Sequence, residues 1–198
     1  MKIGIGIPNQ GDIKFFTMLS LIPAVMNCFD VADVAFIGRE GCLVPWARED
    51  IFKIALGQEC SHLLFCDTDM RFPAHTIRQM IQLKKDIVGT WTFKRKLPRE
   101  PTVHLREETT DNYIWRNARV EERPTEPFSR IGGNVIGVGT GLMLIDLNRA
   151  KRLEMPRFRA DYGGPGEDLY FCSQALKAGL EIWCDPTIEV GHIGDFEY

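Results

Sequence analysis

The sequence of 198 residues predicts an α/β fold with a mostly parallel central sheet, because strand and helix patterns alternate through its first ninety residues. The strand patterns are short apolar runs bounded by polar or turn residues, and the segments between them repeat apolar residues at helical spacing. Four strands are expected: "KIGIGIP", "DVAFIG", "SHLLFC" and "DIVGTW". Strands joined in this way lie parallel, with helices covering the faces of the sheet as in an α/β/α sandwich.

Three helices are expected between these strands. The first, "DIKFFTMLSLIPAVM", contains Pro23, which should kink or end it. The second, "PWAREDIFKIALGQEC", has Ile51, Ile54 and Ala55 at helical spacing. The third, "PAHTIRQMIQLKK", opens on Pro73, a residue suited to the first position of a helix.

The second half of the chain has a different pattern. Residues 95–130 have little periodicity around two short strand patterns, "TVHL" and "NYIW", and we expect an irregular insert with a small antiparallel element. Next, "NVIGVGTGLMLID" predicts two strands around a glycine-rich turn, and "GPGEDLYFCSQALKAG" a helix with Gly179 at its end. Two short strands follow in "EIWCDPTIEVGHIG". The length suits a single domain over residues 1–198.

The composition excludes several classes of protein. The net charge of −3 and the absence of a Lys/Arg run argue against nucleic-acid binding. No apolar run approaches the roughly 20 residues of a membrane span, and the N-terminus lacks a signal-peptide pattern, so we expect a cytoplasmic protein. The six cysteines form no C-x-x-C motif and lie mostly in apolar segments, which favours buried free thiols.

Two acidic residues follow the third predicted strand. Asp67 and Asp69 come directly after "HLLFC", and in a parallel sheet ligands bind in the crevice beyond the carboxyl ends of strands. Mg²⁺ and Mn²⁺ prefer oxygen ligands and are often held by one or two carboxylates together with substrate phosphates. The alternative is that both are ordinary loop acids, with Asp69 capping the next helix.

Two further features are candidates for the same site, each with a purely structural alternative. Glu167 and Asp168 in "GPGEDLYF" open a predicted helix, where one could act as a general base or both could merely favour the helix dipole. The backbone of Gly139, Thr140 and Gly141 could approach a ligand closely or form a plain turn.

Two basic side chains complete the set of candidates. His192 follows a short strand near the end of the sequence and is either a ligand or a surface histidine. Arg48 lies in the first turn of a helix, where a cation is unfavourable, which suggests that it pairs with a phosphate or with the acids.

The order of these elements resembles that of glycosyltransferases with the GT-A fold, in particular small family-2-type enzymes of bacteria or phages. The shared elements are the strand-end D-x-D, the glycine loop before an apolar strand, the Glu-Asp pair opening a helix and the C-terminal His. "IPNQG" after the first strand and the segment "WARED…HLLFCDTDMRFP" are also similar, although Glu49 stands where Asn is common. The resemblance implies a nucleotide-binding half at 1–94 and an acceptor and catalytic half at 95–198.

The resemblance also implies a role for each candidate. Asp69 and His192 would hold a divalent metal, Mn or Mg, and Asp67 would bind the same ion or the ribose of the donor. Arg48 would stabilise the diphosphate, and the backbone at Gly139–Gly141 would pass close to the donor sugar or the acceptor. Asp168 would be the base of an inverting reaction, assisted by Glu167. The remaining contacts, to base and ribose, would come from Pro8, Asn9 and Gln10.

The function implied is transfer of a sugar from a UDP- or GDP-sugar to a hydroxyl of a glycan or another acceptor. Two alternatives remain open on the residues alone. Paired strand-end acids also serve metal-dependent phosphohydrolases and nucleotidyltransferases. However, sugar nucleotidyltransferases carry a Gly-rich loop with Arg and Lys after the first strand, which "IPNQGDIKF" lacks. The other alternative is a non-catalytic module that binds nucleotide-sugars.

Overall fold

The computed structural model describes residues 1–108, 113–123, 135–161 and 166–194. Its helices and strands follow the predicted alternation closely. In chain order they are β1 (Lys2–Asn9), α1 (Phe15–Met26), β2 (Asp33–Glu40), α2 (Val44–Gly57), β3 (His62–Cys66), β4 (Met70–Arg71), α3 (Thr76–Gln82), β5 (Ile87–Thr90), β6 (His104–Glu108), β7 (Tyr113–Asn117), β8 (Val135–Gly137), β9 (Leu142–Asp146), α4 (Leu147–Ala150), α5 (Glu167–Lys177), β10 (Ile182–Asp185) and β11 (Gly191–His192), with a short 3₁₀ helix at Val120–Glu122.

The central sheet has six strands in the order β10-β5-β9-β3-β1-β2. The pairs β1–β2, β1–β3 and β5–β10 are parallel, whereas β9 runs antiparallel to both of its neighbours. Two small antiparallel sheets accompany it, one of β4 and β11 and one of β7, β6 and β8. The predicted α/β fold with a mostly parallel sheet and a small antiparallel element is therefore confirmed. Strands from both halves of the chain contribute to the central sheet.

Two apolar cores lie on opposite faces of this sheet, which makes the architecture a three-layer α/β/α sandwich. Successive residues of β3 alternate between them: Leu63 and Phe65 pack with α2 and α5, and Leu64 and Cys66 pack with α1 and α3. Because side chains alternate across a strand and both faces are covered, these strands are apolar at nearly every position. All six cysteines are free and five of them are buried, as predicted.

Close packing of α2 on the sheet positions the helix that carries Arg48. Gly6 lies in the middle of β1, and a Cβ atom added there would lie 2.4 Å from Cγ2 of Ile51. Only glycine allows this approach, because real Cβ contacts are much longer. The middle of α2 is thereby held close against β1.

Local departures from the predicted elements have physical causes. Pro23 does not end α1, which continues to Met26 because Ala24 and Val25 are buried in the core. Pro73 does not open α3 but a preceding turn, in which the N–H of Thr76 donates to the carbonyl of Pro73 (3.1 Å).

Within the insert predicted at 95–130, β6 and β7 pair antiparallel, as expected of a small antiparallel element there. Residues 109–112 and 124–130 of this insert, and the Gly164–Pro165 entry predicted for α5, lie outside the described residues. Gly179 follows the end of α5 with φ of +73°, the left-handed conformation predicted for that position. Among the described residues, no helix is long and apolar enough to span a lipid bilayer.

A buried ion pair between Glu49 and Arg157 joins α2 to the loop that follows α4. The carboxylate of Glu49 accepts hydrogen bonds from the backbone N–H of Arg157 (2.7 Å), from its Nη1 (2.7 Å) and from the N–H of Phe158 (3.3 Å). Both charged side chains are less than 10% exposed. Glu49, which departs from the family pattern, therefore has a structural partner. The pair also places Phe158, whose ring stacks on Phe171 of α5 at 4.7 Å.

Replacing Glu49→Gln should lower the free energy of unfolding by about 3 kcal/mol, because it leaves the buried Arg157 cation without its counter-charge. The measurement is urea denaturation followed by circular dichroism. Asp50→Asn is the matched control, because Asp50 pairs with Arg39 at the exposed neighbouring position. We expect a loss of less than about 1 kcal/mol there. Equal losses in the two variants would contradict the role given to the buried pair.

Candidate active site at the carboxyl edge of the sheet

Two adjoining cavities lie at the carboxyl ends of β1 and β3. The first, of about 380 Å³, is bounded by the end of β1, the start of α2 and the loop after β3. Its lining includes Pro8, Asn9, Gln10, Arg48, Asp67, Asp69 and His192. Because parallel strands end along one edge, residues far apart in the sequence meet here.

The second cavity, of about 140 Å³, lies between the glycine loop and the start of α5. Its lining includes Gly139, Thr140, Gly141, Glu167 and Asp168, and it shares Arg48, Asp67 and His192 with the first. All twelve residues singled out from the sequence therefore line one or both cavities. Their roles stay predictions, because a shared location does not assign chemistry.

Arg48 is one of three side chains that the two cavities share. Its Nη2 donates to Oδ1 of Asp67 at 2.9 Å, and its Nε donates to Oε1 of Glu167 at 3.4 Å. Its guanidinium also lies 5.2 Å from the centre of the Phe65 ring. The side chain is almost fully buried, and its Nη1 has no acceptor among the described residues. A buried donor without a partner is costly, so an anionic ligand at this point would be favoured.

Asp69 and His192 form a second charged group. His192 Nε2 lies 3.2 Å from Oδ1 of Asp69, and Arg95 Nη1 lies 2.9 Å from its Oδ2. Burial opposes both charges, yet the charge and hydrogen bond of Asp69 raise the pKa of His192 on balance. Burial alone would raise the pKa of Asp69. The hydrogen bond and charge of His192, together with the charge of Arg95, have the larger effect, so the pKa of Asp69 lies below its ordinary value. Without a metal ion, Arg95 and His192 therefore stabilise the charged form of this carboxylate.

The orientation of the His192 ring suits a metal ligand. Its Nδ1 lies 3.0 Å from the carbonyl oxygen of Phe93, which can only accept, so Nδ1 carries a proton. In the neutral ring Nε2 then has a free lone pair directed at Asp69, and a cation between the two would satisfy both. Ligating histidines are usually oriented by such a hydrogen bond to a carbonyl.

The protein supplies few ligands of its own for such an ion. Asp67 is paired with Arg48, and the described residues contain no group of three or more His, Cys, Asp or Glu side chains placed to hold a metal. The donor set of Asp69 and His192 fits a divalent ion that takes its other ligands from phosphate and water. The predicted part of Asp67 as a metal or ribose ligand stays a prediction.

Asp168 faces the smaller cavity from the first turn of α5. Burial raises the pKa of its carboxyl above the ordinary value, although the N–H of Leu169 and the charge of Arg48 act in the opposite direction. A carboxylate with a raised pKa is a better proton acceptor than a solvated one. Glu167 beside it is held by Arg48, so the two neighbouring acids have different partners.

The glycine loop touches the acidic loop directly. The backbone N–H of Asp67 donates to the carbonyl of Gly141 at 2.8 Å. A Cβ atom on Gly141 would lie 3.4 Å from Oδ2 of Asp67 and 3.2 Å from Sδ of Met70. A Cβ there would crowd the end of the Met70 side chain and lie in ordinary contact with Asp67, so packing favours glycine here without reference to a ligand.

Some residues that line the two cavities were not anticipated from the sequence, among them Thr92, Arg95 and Thr102. Arg95 binds Asp69, the carbonyl of Phe93 orients His192, and Thr92 and Thr102 line the smaller cavity. A signal for Thr92 and Arg95 was present, because residues 91–95 leave the carboxyl end of β5, which runs in the same direction as β3. The strand-end rule applied to β5 would have pointed to them.

A larger cavity, of about 600 Å³, lies on the other side of the small β4–β11 sheet. Its lining includes Arg71, Trp91, Phe93, Arg99, Arg123 and Glu189, and none of the twelve residues singled out from the sequence. It shares no carboxylate with the strand-end cavities. We therefore place the candidate active site at the sheet edge, where the acids and the buried cation meet.

Comparisons with known proteins agree with the fold and leave the family open. No protein-family model matches the sequence, and no curated protein matches it. Solved structures do match. A197 from STIV superposes with a TM-score of 0.65 at 18% identity, over 98% of this chain and 87% of that chain. A second match is a protein from Bacillus anthracis, named as a glucose-1-phosphate thymidylyltransferase and determined in complex with sucrose. It superposes with a TM-score of 0.50 at 11% identity, over 96% of this chain and 88% of that chain.

The likeness is one of fold. Identities this low do not carry activity or ligands from one chain to the other. The Rossmann-like α/β sandwich is therefore shared with a protein named as a thymidylyltransferase.

Proposed function

We propose that this protein is a metal-dependent glycosyltransferase, which moves a sugar from a UDP- or GDP-sugar to a hydroxyl of a glycan or another acceptor with inversion. The observation that carries the proposal is the pair of joined cavities. One contains Asp69 and His192, the other contains Asp168 with its raised pKa, and Arg48 lies between them. In this layout the leaving nucleoside diphosphate would occupy one cavity and the catalytic base would face the other.

The larger of the two cavities suits the nucleotide. Pro8, Asn9 and Gln10 would contact base and ribose, while Arg48 would donate to the diphosphate. Asp69 and His192 would hold a divalent cation, Mn or Mg, which when bound offsets the negative charge of the leaving nucleoside diphosphate. Asp67 would remain hydrogen-bonded to Arg48 and orient its guanidinium, or it would contact the ribose.

Transfer itself needs a base on the far side of the sugar. Asp168 would accept the proton of the acceptor hydroxyl while the hydroxyl oxygen bonds to the anomeric carbon of the donor sugar. The bond from that carbon to the phosphate oxygen breaks, and its electron pair leaves with the nucleoside diphosphate. Glu167 would keep Arg48 in position, and the backbone at Gly139–Gly141 would border the sugar.

A nucleotidyltransferase is the second candidate, and the likeness in fold to the thymidylyltransferase-named protein favours it. The loop after β1, "IPNQGDIKF", lacks the glycines and the pair of basic residues expected of that class. The reaction products distinguish these candidate functions. Glycosyl transfer releases a nucleoside diphosphate, nucleotidyl transfer to a sugar phosphate releases pyrophosphate, and a phosphohydrolase releases inorganic phosphate. A non-catalytic module binds the donor and releases none of them.

Binding of UDP and GDP should depend on metal through Asp69 and His192. In isothermal titration calorimetry, we expect Mn²⁺ to tighten nucleoside diphosphate binding by about tenfold or more, and expect this gain to disappear in Asp69→Asn and in His192→Gln. His75→Gln is the matched control, because His75 is an exposed histidine at the start of α3. Metal-dependent binding that survives in Asp69→Asn would rule out the proposed ion site.

Asp168→Asn should separate binding from turnover. Donor binding should be kept, while release of nucleoside diphosphate in the presence of acceptor falls by about 10²-fold or more, because the base is gone. For the wild-type protein, the raised pKa of Asp168 places the acid limb of kcat/KM at a higher pH than an ordinary aspartate would. Loss of donor binding in Asp168→Asn, with the fold intact by circular dichroism, would contradict the assignment.

A further inference from the structure

Helix α1 exposes an unusually apolar face. No residue of "FFTMLSLIPAVM" carries a charge, and the helix is apolar on more than one side. One face is buried, with Leu21, Ala24 and Val25 in the core. On the other face, and just beyond the helix end, six large apolar side chains are each 49–70% exposed: Phe15, Phe16, Leu19, Ile22, Met26 and Phe29. A helix that is apolar all round is normally covered on all sides.

The exposed side chains follow a regular spacing. Phe15, Leu19, Ile22, Met26 and Phe29 are separated by four, three, four and three residues. This 3.5-residue repeat is the seam along which one helix packs against another, each side chain fitting between those of the partner. Phe15, Leu19, Ile22 and Met26 thus form one continuous apolar stripe along α1, and Phe29 extends it just beyond the end of the helix. A stripe of this shape fits a second helix as the covering element.

The size of the exposed face matches that of a stable protein interface. With about 200 Å² for each large side chain when fully exposed, these fractions leave roughly 700 Å² of apolar surface in water. That is near the ~800 Å² that each partner buries in an interface of standard size, and above the largest patch of most monomers.

The charges around the face argue against a lipid bilayer as the covering element. Helices that lie on membranes carry Lys and Arg along their polar side, and α1 has neither. Its nearest exposed cation at the helix start is Lys14, and Arg78 near the other end is neutralised by Asp30 through two hydrogen bonds of 2.6 and 2.8 Å. The face is thus apolar and close to neutral, which suits a partner with the same properties.

We propose that this face is a homodimer interface, in which α1 packs against α1 of a second copy of this chain about a two-fold axis near Ile22. A two-fold interface is self-complementary, so a single apolar seam serves both partners. Ile22 is the middle member of the seam and would lie next to its own copy. The proposal does not rest on the proposed transferase activity.

Sedimentation velocity of the full chain, over a concentration range up to about 100 µM, tests the proposal, since dimerisation depends on protein concentration. We expect the wild-type protein to be a dimer and Leu19→Glu/Ile22→Glu to be a monomer with an unchanged circular dichroism spectrum. Leu97→Glu/Met155→Glu is the matched control, because both residues are 63–73% exposed outside the seam, and it should remain a dimer.

A cross-linking variant tests the arrangement of the helices. In a Cys42→Ser background, which removes the one cysteine that is not buried, Ile22→Cys should form a disulfide-linked dimer on mild oxidation, whereas Met155→Cys should not. The proposal would be overturned if the wild-type protein remained a monomer throughout the concentration range. Binding of that monomer to phosphatidylcholine vesicles would then identify a lipid surface as the covering element instead. A dimer that persists in Leu19→Glu/Ile22→Glu, or an Ile22→Cys variant that fails to cross-link, would also overturn it.

Discussion

The buried guanidinium of Arg48 is the interaction on which the candidate site depends. It binds Asp67 after β3 and Glu167 at the start of α5, two acids that are separated by 100 residues in the sequence. A buried charge is tolerated only when it is paired, so both loops are held to α2. The close packing of α2 on Gly6 and the Glu49–Arg157 pair hold that helix in turn. The geometry of the site is thus set by how one helix lies on the sheet.

The acids of the site differ in how they are neutralised, and this difference suggests their division of labour. Asp67 is bound by Arg48, whereas Asp69 is bound by His192 and Arg95. Asp168 has no cation in direct contact among the described residues, and burial raises its pKa. A carboxylate that keeps its charge through strong partners suits cation binding, and a carboxylate without them suits proton transfer. The sequence alone does not distinguish these environments, because all three residues are aspartates near element ends.

Much of the fold, and the location of the site, could be predicted from the sequence because both depend on local rules. Strands and helices are encoded in apolar periodicity, and the strand-end rule places Asp67 and Asp69 at the sheet edge. Long-range pairs are not encoded in this way. Nothing local shows that Glu49 meets Arg157, that Arg95 reaches Asp69, or that Phe93 orients His192. Periodicity also identifies an apolar helix face without showing whether the rest of the chain covers it, which is the case of α1.

A crystal structure of the protein with Mn²⁺ and UDP or GDP tests the proposed site most directly. We expect an anomalous peak for manganese within about 2.3 Å of an Asp69 oxygen and of His192 Nε2, with Arg95 displaced. We also expect the diphosphate in the cavity lined by Pro8, Asn9 and Gln10, and within hydrogen-bond reach of Arg48. A nucleotide bound instead in the arginine-lined cavity beyond the β4–β11 sheet, or a metal ion held without Asp69, would contradict the proposed site.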